Sequence, residues 1–212
     1  MIEPSGLFGV SVVALGMVLT PGPNMIYLVS RSITQGRRAG MISLGGVALG
    51  FLAYLLAANL GLSVVFTAVP ELYVAVKLAG AAYLAHLAWN ALKPGGISVF
   101  APQDVPHDSP RRLFTMGLMT NLLNPKIAVM YVSLIPQFID LGRGHVLLQG
   151  LVLGSVQIMV SIAVNLAIVL AAGTIAVFLA RRPSWLKVQR WLMGTVLGGL
   201  AVSLAADTSG PA

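Results

Sequence analysis

Thr120-Asn121-Leu122-Leu123-Asn124-Pro125-Lys126 decides how this chain is read, because it interrupts an otherwise apolar stretch. From Leu113 to Ile139 the only residue charged at neutral pH is Lys126, at the midpoint, with Arg112 and Asp140 closing the ends. Taken as one spanning helix, the stretch puts the ammonium about 20 Å from either end. A lysine stem reaches only about 6 Å, so snorkelling to a headgroup is closed to it. A charge held at that depth is costly and points to function, with a partner to be found. Two readings stand: Lys126 ties down backbone carbonyls freed by Pro125, or it meets a ligand.

Composition sets the environment. The 212 residues are 57% hydrophobic and 9% charged, with a mean hydropathy of +0.89, and carry several charge-free runs long enough to cross a bilayer. The sequence predicts an all-α polytopic membrane protein in a lipid bilayer. Its net charge of +7 is therefore read through loop placement and not as nucleic-acid affinity. Met1-Ile2-Glu3 has no basic n-region, so the first apolar run is expected to be a retained span. The absence of cysteine excludes disulfides, thiolate metal sites and thiol redox chemistry.

Six spans are expected: about 4–30, 41–69, 72–92, 113–139, 146–180 and 191–206. They form a first three-span repeat over 1–95, an irregular proline-rich linker over 96–112 and a second repeat over 113–212. Span 1 is expected to break at Thr20-Pro21-Gly22-Pro23-Asn24, since two prolines remove backbone donors, and Arg31, Arg37 and Arg38 to fill a short loop. Ten of the thirteen Lys and Arg fall in loops 1–2, 3–4 and 5–6. By the positive-inside rule those loops are cytoplasmic and both termini lie outside.

Three spans per half make the second half enter the membrane in the opposite direction. A shift of 104 residues superposes Pro21 on Pro125, Tyr27 on Tyr131, Gly46 on Gly150 and Gly50 on Gly154. An inverted repeat with matched helix breaks marks a central binding site. Thr20-Pro21 and Asn124-Pro125 each suit the cap and first residue of a half-helix, which would aim its positive end at the centre. A helix kink relieving packing is the alternative for each proline. Along span 5, Gln157, Ser161 and Asn165 follow Gly150 and Gly154 on one helical face, as suits packing or a lined path.

These residues resemble the LysE/RhtB family of bacterial amino-acid exporters. The resemblance rests on Leu19-Thr20-Pro21-Gly22-Pro23-Asn24 with Gly36, on Gly46-Val-Ala-Leu-Gly50, on Leu78-Ala-Gly80-Ala-Ala-Tyr83-Leu84, and on Thr120–Lys126 continuing to Leu134-Ile-Pro136-Gln137-Phe138. It implies a compact six-span exporter of the bacterial cytoplasmic membrane, moving amino acids or derivatives outward against proton influx. Two departures stand out: Tyr54 where many relatives carry His, and His86 in place of an apolar residue.

All six acids, Glu3, Glu71, Asp104, Asp108, Asp140 and Asp207, lie outside the spans or at their ends. With no buried carboxylate to meet a cationic side chain, a neutral amino acid is the expected cargo. Its carboxylate would meet Lys126 and the half-helix ends at Pro21, Gly22, Pro23 and Pro125. Its ammonium would meet free carbonyls, Asn24, Asn121 or Asn124. Lys126 and His86 are the candidate proton carriers, His86 because histidine titrates near neutrality. Tyr27, Tyr54, Tyr131, Gln157, Ser161 and Asn165 are the candidate path-lining residues. No cofactor or metal is expected.

The competing classes lack their chemistry. A membrane enzyme needs a nucleophile–base pair or metal cluster within the spans, where His86 is the only histidine and no acid occurs. A metal-ion exporter needs clustered His, Asp or Cys. A packing protein would confer no resistance to a toxic amino-acid analogue. Gly194-Thr-Val-Leu-Gly198 can serve internal packing or a homodimer face.

Overall fold

The computed structural model describes residues 3–62, 70–93, 107–180 and 183–206. All regular structure among them is helical: α1 (Pro4–Leu19), α2 (Pro23–Ala57), α3 (Pro70–Leu92), α4 (Pro110–Leu122), α5 (Pro125–Val129), α6 (Val146–Ala180) and α7 (Pro183–Ala206). A π turn at Ala58–Leu62 extends α2, and π and 3₁₀ turns at Met130–Leu134 and Ile135–Phe138 extend α5.

Polarity is distributed inside-out. Phe8, Leu60, Leu123, Met159, Trp191 and Val202 stand outward, each more than 60% exposed, whereas Asn24, Asn121, Asn124, Lys126, Gln157, Ser161 and Asn165 are buried. Water would penalise such an exterior, and a hydrocarbon solvent would not. Residues 23–61 and 146–174 are long and apolar enough to cross a membrane, and 110–122 with 125–138 makes a third such unit, bent by 49° at its break.

Residues 23–61 do not form one rod, however. The hydroxyls of Ser43 and Tyr27, sixteen residues apart, lie 3.3 Å from each other; along a straight helix that separation is about 24 Å. The chain doubles back at Gly36, whose φ of 84° is open to glycine and strained for other residues. α2 is thus a hairpin with arms over 23–35 and 37–57. The expected loop around Arg31, Arg37 and Arg38 is corrected accordingly: helix runs up to Gln35 and resumes at Arg37, because one glycine makes the whole reversal.

Other boundaries also move. α4 begins at Pro110, inside the expected linker, because Ser109 caps it by accepting from the Arg112 N–H. α7 begins at Pro183 and takes in Lys187 and Arg190, which the sequence placed in a loop; proline is at home in the first turn of a helix. The end of the expected second span, from 63, and most of the linker, 96–106, lie outside the described residues.

The two broken segments, α1 with the first arm of α2 and α4 with α5, run antiparallel. Glu3 pairs with Arg143, Gly9 meets the Phe138 ring, Lys126 reaches Met17 and Thr20, Tyr27 bonds the Leu113 carbonyl, and Arg31 pairs with Asp108. Numbers rise along one segment as they fall along the other. The second arm of α2 then packs along α4 at glycines that admit backbone: a Cβ on Gly46 would strike the Phe114 carbonyl, and one on Gly117 the Ser43 carbonyl.

Candidate functional site

A helix broken by proline frees the carbonyl four residues earlier, and in an apolar setting each freed group needs a donor. Pro21 leaves the Met17 carbonyl without its helical N–H. Chain departure after Leu19 does the same for Thr20. Both accept from Lys126 Nζ, at 2.9 and 2.7 Å. At the second break the Lys126 N–H turns to Asn124 Oδ1 at 3.1 Å, and the Leu122 carbonyl it leaves takes the Tyr54 hydroxyl at 2.8 Å. Each break is therefore closed by a side chain from the other half of the chain. Lys126 does tie down freed carbonyls, but those of Pro21 and not of Pro125.

The caps differ from expectation at the first break. The half-helix begins at Pro23 with Gly22 before it and no side-chain cap, whereas Thr20 ends α1 and turns its hydroxyl back to the Gly16 carbonyl at 2.8 Å. Pro23 at the first helical position has no N–H and so needs no capping acceptor, and the Thr20 hydroxyl finds an acceptor one turn back. At the second break Asn124 is the cap, as its type and position suggest.

Beside the Lys126 amine lies a cavity of about 20 Å³, bounded by Met17, Val18, Asn24, Met25, Phe51, Ile127, Met130, Gln157, Ser161 and Asn165. That volume holds about one water. One wall is apolar and rich in methionine. The other is polar and ordered by α6: Tyr131 donates to Gln157 Oε1 at 2.6 Å, Gln157 to the Ser161 hydroxyl at 2.8 Å, and Asn165 to the Ser161 carbonyl at 2.8 Å. Asn24 Oδ1, Asn165 Oδ1, Asn124 Nδ2 and both amide atoms of Asn121 are buried with no hydrogen-bond partner among the described residues. Lys126 is 4% exposed, and no carboxylate among the described residues lines the cavity.

The structure thus brings Asn24, Lys126, Gln157, Ser161 and Asn165 around one space, with Thr20 and Gly22 against the amine. Asn121 is buried against Gly50 and Asn124 serves as a cap, while Pro23 and Pro125 are exposed and act through the backbone. Tyr54 stacks on Tyr131 with ring centroids 5.7 Å apart, and Tyr27 bonds the Leu113 carbonyl; neither tyrosine borders the cavity. His86 lies on an exposed face of α3, its ring 6.5 Å from that of Tyr83, away from the cavity. Asp108 corrects the expectation that no carboxylate is buried: its side chain is 7% exposed. It is already matched by Arg31 at 2.8 Å and Arg112 at 2.9 Å, at the far end of the broken segments.

Sequence reasoning missed two parts of the site. The carbonyls that hold Lys126 have a signal, since Met17 stands four residues before Pro21. The wall of Met17, Met25, Met130 and Phe51 has none, because these residues are unremarkable within an apolar chain.

A polar interior wrapped in an apolar exterior is the plan of a membrane protein, and paired helix breaks at its centre are the plan of a transporter. The chain belongs to the LysE family: the LysE type translocator model matches residues 15–208. It is similar to the uncharacterized membrane protein PA4757 of Pseudomonas aeruginosa, 30% identical over 200 residues and 91% of each chain. It is 31% identical over 160 residues to the uncharacterized membrane protein YrhP of Bacillus subtilis, covering 71% of this chain and 75% of that one. The leucine efflux protein of Salmonella typhimurium is 27% identical over 195 residues, 91% of each chain. No solved structure matches the chain.

Proposed function

We propose that this LysE family translocator exports neutral amino acids across the bacterial cytoplasmic membrane by proton antiport. One observation carries the choice of cargo. Among the described residues the cavity holds a buried ammonium and uncharged polar groups but no carboxylate, so a zwitterion finds a partner for its carboxylate while a cationic side chain finds none. The methionine-rich wall suits an apolar side chain, in keeping with the relative named as a leucine efflux protein.

Among the described residues Lys126 is the only titratable one bordering the cavity, and it is assigned the exchange of the coupling proton. The six spans are taken as two inverted repeats, with the Arg31–Arg38, Lys93–Arg112 and Arg181–Arg190 segments cytoplasmic and both termini outside. A cavity of about 20 Å³ is too small for any amino acid, so this is a closed state that must open to load.

The test is export by purified protein in proteoliposomes with an imposed pH gradient. Leucine and other neutral amino acids should move, driven by protons flowing the other way, and Lys126→Ala should lower transport to that of empty vesicles. Export of arginine with neutral amino acids ignored would overturn the cargo. Full-rate transport by Lys126→Ala with unchanged pH dependence would overturn both roles given to the lysine.

A further inference from the structure

Lys126 occupies a seat built for an ammonium group. We propose that the carbonyls of Met17 and Thr20 form the subsite for the cargo's α-ammonium, and that Lys126 fills it only while the carrier is empty. This rests on the amino-acid reading above. On loading, the cargo's ammonium takes the two carbonyls and its carboxylate takes the released Lys126 amine.

Four observations converge. The two acceptors lie 2.9 and 2.7 Å from one nitrogen, the geometry of a primary ammonium held by paired carbonyls. An ammonium has three donors, and these bonds use two. A third acceptor stands on the same cavity: Asn24 is 6% exposed and its Oδ1 has no partner among the described residues. The amine also rests against a glycine. A Cβ on Gly22 would lie 2.9 Å from Nζ, so only the missing side chain leaves it this place.

Space and charge favour displacement. The cavity admits about one water, so cargo enters only if something leaves, and the Lys126 amine sits on a flexible four-carbon stem that can swing aside. A lysine held by neutral carbonyls is a buried charge without a counter-ion. Exchange with a zwitterion gives it a carboxylate and returns an equal charge to the carbonyls. A carboxylate alone would leave the carbonyls unfilled, and an amine alone would set two cations side by side.

Removing the tethered amine should expose the seat. Purified Lys126→Ala should gain thermal stability with methylammonium, saturably, and gain nothing from tetramethylammonium, which has no N–H to donate. Wild-type protein, with its seat filled, should respond to neither. No methylammonium effect in Lys126→Ala, or an equal effect from tetramethylammonium, overturns the proposal. A second measurement needs no variant: leucine should stabilise the wild-type protein, and its N,N,N-trimethyl derivative should bind weaker by about tenfold or more, having lost its charge-assisted bonds. Equal binding overturns the seat. The two ideas fail separately: transport of leucine without a methylammonium seat refutes only this inference, and a methylammonium seat without neutral amino-acid export refutes only the cargo.

Discussion

Replacing Gly22 by alanine isolates the contact on which the site depends. The backbone accepts the change, since Gly22 has φ −166° and ψ 178°, extended values open to any residue. The new Cβ would sit 2.9 Å from Lys126 Nζ and 3.2 Å from Cε, where ordinary contact begins at 3.4 Å. The amine must retreat by about 0.5 Å and cannot press closer to carbonyls already at 2.7 and 2.9 Å. Two charge-assisted bonds, each worth about 1.5–3 kcal/mol when well made, are stretched but not abolished, for a cost of about 1–2 kcal/mol. The assay is a double-mutant cycle with Lys126→Met, scored by unfolding in detergent micelles. In the Lys126→Met background the alanine should cost little, because no amine remains to be displaced. An equal cost in both backgrounds, or no cost with lysine present, would show that the amine does not rest where Gly22 admits it.

Three further outcomes follow from the geometry. Lys126→Met alone should leave stability within about 1 kcal/mol of wild type while abolishing export, since the unfilled carbonyls are offset by no longer burying a charge; unfolding and vesicle transport measure the two effects. Asp108→Asn should cost about 3 kcal/mol by leaving the buried Arg31 guanidinium without its carboxylate, and Arg31→Leu/Asp108→Leu together should recover part of the loss in the same unfolding assay. Gly46→Ala and Gly117→Ala should each lose about 1–3 kcal/mol by driving a methyl into backbone of the facing helix, whereas Gly173→Ala, with nothing within 4 Å, should be neutral or gain up to about 1 kcal/mol.

The breaks at Pro21–Pro23 and Asn124–Pro125 are legible in the sequence because proline acts locally: it deletes a donor wherever the chain goes next. The polar face of α6 is legible for the same reason, since Gln157, Ser161 and Asn165 repeat at helical spacing and border one cavity. What the sequence does not carry is the partner across space. Lys126 stands beside Pro125, so local reasoning gives it the carbonyls of its own break, whereas antiparallel packing delivers it to Met17 and Thr20. Asp108 reads as a solvated linker residue until Arg31 arrives from the first half. Gly36 reads as one more small residue near arginines, and only its left-handed φ identifies it as a reversal point.

That reversal has a mechanical consequence. A hairpin whose tip is a single residue has no slack, so a twist or tilt applied to one arm of α2 is handed at once to the other. Between α1 and the second arm, the chain's compliance is left to Thr20–Gly22, three residues outside any helix. Those residues carry the carbonyl and the glycine that hold the Lys126 amine, so the non-helical joint between α1 and α2 coincides with the place where that charge is anchored.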